Sequence, residues 1–143
     1  MLTTVEKVIF LQDIDVFQSI STSDLAYLAA ITEEMEADEG RVLFKEGDAS
    51  DSMYMVIEGT VRLLRNDTEV MTAGFKDVFG TWALFDDEPR MVRAEVTEHA
   101  RLLRIEKDDF IDLLADHVQI TQGVFKAMVG RLRGLASRFN KQD

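Results

Sequence analysis

One arginine, Arg90, follows the only proline of the chain, Pro89, near the end of the stretch FGTWALFDDEPRMV, residues 79–92. A guanidinium is a planar fork of donors that suits phosphate or carboxylate in a bidentate pair. Gly80, followed by Thr81-Trp82-Ala83-Leu84-Phe85, reads as a short helical turn entered from a strand. The first amides of such a turn have no internal partners and lie at its positive end, which suits an anion. Beyond Pro89, alternation in RMVRAEV puts Arg90 on one strand face with Val92, Ala94 and Val96, the face expected to turn inward. An inward guanidinium needs a partner, because an unpaired buried charge is very costly. Two partners are open to it. One is an anionic ligand; the other is a carboxylate of Asp86, Asp87 or Glu88, all within four residues.

Other chemistries have less to stand on. Metal-dependent enzymes built on β barrels gather two or three histidines and a carboxylate. Here only His99 and His117 exist, one expected near a strand end and one near a helix start, both as surface or capping residues. No GxxxxGK loop and no nucleophile-histidine-acid set stands out, so an enzyme is not expected and no metal is assigned. Trp82 has a face that could stack on a ligand base, with packing in the core the favoured role. The seven methionines are read as core filler.

The elements that must hold Arg90 follow from the apolar pattern. A chain of 143 residues with 46% hydrophobic and 30% charged side chains is one domain's worth of ordinary globular protein. No apolar run approaches the roughly 18 residues of a membrane span and the start lacks a signal-peptide pattern; without cysteine, redox usage does not report the compartment, and a cytoplasmic setting is the default expectation. The net charge of −11 argues against direct nucleic-acid binding. From His117 onward the balance is +4, from Lys126, Arg131, Arg133, Arg138 and Lys141 against Asp143, which leaves −15 for the rest. That basic tail is read as a solvated helix face.

Residues 1–32 form a helical lead-in, with a second helix opening at the capping run Ser21-Thr22-Ser23-Asp24. Across 33–106, short runs such as RVLF, MYMVI, TVRLL, EVMTA and ARLLRI alternate with glycines, the texture of a sandwich or small barrel. Gly40, Gly47 and Gly59, each after a glutamate, are expected in tight turns at positive φ. From 107 to 143 the helical period returns. A short helix around Phe110–Leu114 precedes a long one, and Phe125, Met128, Leu132, Leu135 and Phe139 recur at spacings of 3, 4, 3 and 4. Two roles fit that seam equally: packing on its own barrel, or a homodimer.

Four segments in order, DVFQSISTSDLAYLAA, GRVLFKEGDASDSMYMVIEGTVRLL, DVFGTWALFDDEPRMVRAEV and ARLLRIEKDDFIDLL, resemble the cyclic nucleotide-binding domain. The type is that of catabolite activator protein and the regulatory subunit of cyclic AMP-dependent kinase, and the resemblance runs from Asp15 to Leu114. It implies a mainly β fold with flanking helices: an eight-stranded, jelly-roll-like β-roll, N-terminal helices and a long C-terminal helix. It also implies a phosphate-binding cassette over residues 79–92, with cyclic AMP or cyclic GMP as ligand. Phe79, Gly80, Ala83 and Leu84 fall on the cassette pattern. Pro89-Arg90 falls on its phosphate-binding arginine, assisted by amides around Ala83 and Leu84. Thr81 stands where the family has a glutamate that accepts from the ribose 2′-hydroxyl, and its other role is to cap the short helix. Met91 replaces a usually small residue, ahead of Val92, and residues 124–128 would cover the base.

Three roles follow. The first is a sensor whose last helix shifts when a cyclic nucleotide docks at Arg90. The second is an interaction module with a closed pocket that dimerises through the heptad seam. The third is a regulatory fragment covalently linked to an effector domain. A transcription factor is disfavoured, because the chain ends a few residues after the long helix.

Overall fold

The computed structural model describes residues 1–140; Lys141 and Asp143 of the basic tail lie outside the described residues. The chain forms two compact units, one spanning Ile31–Ile111 and one combining Leu2–Ala30 with the residues from Asp112 onward.

The first unit is a six-stranded antiparallel sheet. Its strands are β1 (Glu33–Ala37), β2 (Val42–Phe44), β3 (Ser52–Arg65), β4 (Thr68–Ala73), β5 (Val78–Phe79) and β6 (Arg93–Glu106). The long strands β3 and β6 pair with each other, Ser52 opposite Glu106 and Leu64 opposite Arg93. Each changes its outer neighbour halfway. β5 pairs with Tyr54 and Met55 of β3, whereas β4 pairs with Val61–Arg65. β1 pairs with residues 100–104 of β6, whereas β2 pairs near Ala94 and Glu95.

The expected eight strands are therefore six, in an open sheet rather than a closed barrel. Two mergers account for this: RAEV and ARLLRI form the single strand β6, and β3 runs through Gly59, which was expected to end one strand and start another. It has φ +82, and the pairing register shifts around it, but the chain continues through as one 14-residue strand. A Cβ at this position would lie 2.1 Å from the His99 carbonyl oxygen, so only glycine lets β3 cross β6 this closely. Gly40 and Gly47 do sit in turns at positive φ.

The inner face gathers Phe44, Tyr54, Val56, Val61, Leu63, Phe79, Ala94, Val96 and Leu102, all buried. Alternate positions Ala94 and Val96 point inward, as the pattern of β6 requires. Over Met53–Ile57 both faces are buried, which explains why MYMVI reads as an unbroken apolar run. Each such fully buried side chain contributes about 1.5–3 kcal/mol.

The second unit is helical. α1 (Thr4–Leu11) starts with a capping box in which the Thr3 hydroxyl accepts from the Glu6 amide and the Glu6 carboxylate accepts from the Thr3 amide. A 3-10 turn (Asp15–Phe17) leads to α2 (Thr22–Ala30), where the Ser21 hydroxyl accepts from the Asp24 amide at 3.2 Å, so the capping run does open a helix. α3 (Lys107–Asp116) runs from the first unit into the second, and α4 (Val118–Asn140) follows at once. Gly123 of α4 packs against Ile20 and Ser19 so tightly that a Cβ would lie 2.9 Å from the Ile20 side chain. His117 precedes α4, its ring 4.2 Å from that of Tyr27. His99 lies within β6 rather than near its end, on the surface with Nδ1 2.8 Å from Asp38.

Candidate functional site

Arg90 is placed by its backbone. Its amide donates to the Asp48 carbonyl and its carbonyl accepts from the Gly47 amide, both at 2.8 Å. Because the 47–48 turn occupies this edge, β6 begins only at Arg93, three residues later than alternation suggested. The side chain nevertheless turns inward and is 7% exposed.

Its guanidinium has partners on β3 and β2. Nη2 donates to the Ser52 carbonyl at 2.7 Å and to the Ser52 hydroxyl at 3.3 Å, and it lies 3.5 Å from an Asp51 carboxylate oxygen. The guanidinium carbon stands 4.0 Å from the centre of the Phe44 ring, a cation–π distance. Phe44 belongs to an aromatic group with Tyr54 and Phe79, whose rings stack at 5.2 Å. Nε of Arg90 is buried and bonds to nothing among the described residues. Burial lowers the Arg90 pKa below the ordinary guanidinium value, while Tyr54 and Asp51 oppose that shift. An arginine keeps its charge under such a shift at neutral pH.

The three local acids do not occupy Arg90. The Asp86 carboxylate accepts from the Glu88 amide at 3.1 Å, and the Asp87 carboxylate pairs with Lys107. Lys107 Nζ also donates to the Asp86 carbonyl at 2.6 Å. The acid beside Arg90 is instead Asp51, whose side chain is 68% exposed and also lies 3.8 Å from Arg104. Burial alone would lower the Arg104 pKa, but hydrogen bonds with Glu106 and Tyr54 outweigh it and raise that pKa above the ordinary arginine value.

Lys107 acts as a latch on the loop after the cassette turn. Its hydrogen bond and charge depress the Asp87 carboxyl below 3.8. A group depressed in the fold stabilises above its unfolded value and loses that contribution as pH falls through the folded value. The latch therefore holds at neutral pH and releases only in acid, as the pH falls through that depressed value. Lys107→Met is expected to speed amide exchange over residues 85–88 while leaving exchange in β3 and β6 unchanged. Equal exchange in the variant and the wild type would show that the latch does not restrain this loop.

A cavity of about 610 Å³ opens in front of Arg90, within the usual size of small-molecule sites. Phe79, Gly80, Thr81, Trp82, Ala83, Pro89, Arg90, Met91 and Val92 line it, together with Phe44, Ser50, Leu63, Met71, Val78, Asp86 and Glu88. Leu84, 2% exposed, is in the core rather than the lining.

Gly80, at φ +76, is the N-cap of the 3-10 turn Thr81–Leu84, and the Ala83 amide donates to its carbonyl at 3.1 Å. Thr81 is inside that turn and does not cap it; no side chain does. Trp82 was expected in the core but is 68% exposed, because Ala83 and Leu84 take the inward positions of the turn. Met91 points outward, 53% exposed. Of the residues offered as a base cover, Val124 is buried within the helical unit and Phe125 is exposed.

Asp51, Ser52 and Phe44 were given no role from the sequence. The signal for two of them was present in GDASDS, where an acid directly precedes a strand that opens on a hydroxyl. Away from the cavity, Glu33, Glu106 and Asp109 could meet around one ion. Arg104 already lies 3.6 Å from Glu33 and bonds to Glu106.

A β sheet that buries one guanidinium among the described residues, lining a largely apolar cavity, has the make-up of a site for an anion with an apolar body. Residues 34–117 match the family model of the cyclic nucleotide-binding domain, and the chain belongs to that family. It is similar to the CRP-like cAMP-activated global transcriptional regulator of Mycobacterium tuberculosis (strain CDC 1551 / Oshkosh). The two are 26% identical over 82% of this chain and 55% of that protein. It is also similar to the cAMP-dependent protein kinase regulatory subunit of Debaryomyces hansenii, 29% identical over 78% of this chain and 25% of that one. Among solved structures, the N-terminal domain of a transcriptional regulator from Streptomyces coelicolor A3(2) superposes with a TM-score of 0.81. It shares 27% identity and covers 88% of this chain and 94% of its own.

These relatives are regulators, not enzymes. The chain spans about half the length of the Mycobacterium regulator. The end of the long helix is accordingly no ground for setting a transcriptional role aside. No helix among the described residues is long and apolar enough to cross a membrane.

Proposed function

We propose that this chain is the sensing domain of a regulator, taking cyclic AMP or cyclic GMP with the phosphate on Arg90 and answering through α4. One observation carries the reading: a guanidinium more than nine-tenths buried lines the cavity with its Nε unpartnered. A buried donor without an acceptor is costly, and a phosphate oxygen would satisfy it. Phe79, Gly80, Thr81, Ala83, Pro89, Met91 and Val92 would shape the cassette around that phosphate, and Leu84 would anchor it from the core. The cytoplasm is the setting this reading assigns. The test is calorimetric titration of the chain with cyclic AMP and with cyclic GMP. Saturable heat with either supports the reading, and none with both contradicts it.

An interaction module is the second reading, favoured by the far half of α4. Of the seam residues, Phe125, Leu132, Leu135 and Phe139 are exposed, at 64, 66, 51 and 72%, and Met128 is half-buried. A heptad seam left in water suits a second copy of the same helix. Paired aspartates at Leu132 and Leu135 are then expected to convert a dimer to a monomer in sedimentation velocity. A wild type that sediments as a monomer at high concentration would dismiss the seam. The two readings are compatible, since a dimer helix that moves with ligand would transmit binding to an attached effector.

A further inference from the structure

Trp82 is the only tryptophan of the chain, and it stands in water with 68% of its surface exposed. It sits on the outward side of the cassette turn and lines the cavity together with Met71 and Met91, themselves 38% and 53% exposed. Three large apolar side chains exposed around one opening mark a surface that something covers. The same cavity is lined by the buried charge of Arg90. Thr81, which also lines the cavity, is short and uncharged, so it offers little to a sugar.

A ligand with its anion at Arg90 therefore meets polar recognition and an aromatic, thioether-lined surface in one cavity. A nucleobase has a flat π-face suited to that surface, and an indole is a broad side-chain partner for it. We propose that Trp82 recognises the base, its indole stacking on the purine of the cyclic nucleotide whose phosphate Arg90 holds. The inference rests on the cyclic nucleotide reading above. It moves base recognition onto the cassette itself, one residue from the position the family uses for ribose. Stacking accepts either purine, so this contact favours a purine over a pyrimidine without choosing between adenine and guanine.

Because there is no second tryptophan, indole emission reports the stack directly. The full chain is titrated with cyclic AMP as wild type, Trp82→Ala, Trp82→Phe and Arg90→Leu, by calorimetry, with emission followed in the wild type. The expected result is a saturable change of emission at the calorimetric midpoint. Trp82→Ala weakens binding about 10- to 100-fold, and Trp82→Phe, which keeps a ring, by less. Circular dichroism matching the wild type assigns these losses to the site. Wild-type binding that is lost in Arg90→Leu but equally tight in Trp82→Ala, with unmoved emission, overturns the stacking role and leaves the phosphate site standing. No binding by the wild type overturns both.

Discussion

Arg90→Leu abolishes measurable cyclic nucleotide binding while the variant still folds. The guanidinium would supply two charge-assisted hydrogen bonds to a phosphate, each contributing about 1.5–3 kcal/mol. Losing both weakens binding by roughly 100- to 10,000-fold. The fold should tolerate the change for reasons visible around the side chain. Asp51 is 68% exposed, so water solvates it once its neighbour is gone. Leucine also ends the cost of burying a charge whose Nε has no acceptor among the described residues, and apolar replacement of buried ions is often neutral. The Ser52 carbonyl does lose its donor at 2.7 Å. Unfolding free energy should then stay within about 2 kcal/mol of the wild type. Urea denaturation and calorimetry on the same preparation separate the two effects. Retained affinity in a folded variant would remove Arg90 from the site.

Gly59→Ala has the largest expected effect on stability. The backbone there has φ +82, which costs an L-residue about 1–2 kcal/mol. The added Cβ would also lie 2.1 Å from the His99 carbonyl oxygen and 2.8 Å from both the Glu98 carbonyl oxygen and the Ala100 Cα. All three are backbone atoms of β6, so no side chain can swing aside, and β3 must lift from its partner. A loss on the order of 3 kcal/mol or more is expected, with a fall in Tm of roughly 10 °C. Gly40→Ala is the control. Its φ is +91, but a Cβ there meets nothing within 4 Å, so it should cost only about 1–2 kcal/mol. Equal midpoints for the two variants would show that the close crossing is not what Gly59 serves.

The same glycine explains where the strand reading failed. MYMVI and TVRLL were read as separate strands because a glycine at positive φ usually ends one. Gly59 bends a continuous strand instead, and sequence alone does not distinguish a turn from a tight crossing. Arg90 turns inward as alternation with Ala94 and Val96 suggested, although it lies ahead of β6 and is placed by its contacts with Gly47, Asp48 and Ser52. Its partner was not legible. Asp86, Asp87 and Glu88 are near in the chain, yet the tertiary fold sets the contact, and the start of β3 brings Asp51 and Ser52 from 38 or more residues away. Lys107, the first residue of α3, drew Asp87 elsewhere through a contact 20 residues apart in the chain. Trp82 was misplaced because four residues of 3-10 helix carry too little periodicity to say which side faces the core. The heptad in α4 was plain, but a seam reads identically whether it covers a barrel or meets a second helix.

The most direct test of the Arg90 site is the side-chain Nε–H resonance of Arg90 in a ¹⁵N-labelled chain, assigned by its loss in Arg90→Leu and followed as cyclic AMP is added. A phosphate on this donor should shift the resonance saturably and slow its exchange with water, in step with calorimetric binding. Binding that saturates while the Arg90 Nε–H stays where it began would place the phosphate elsewhere and contradict the account.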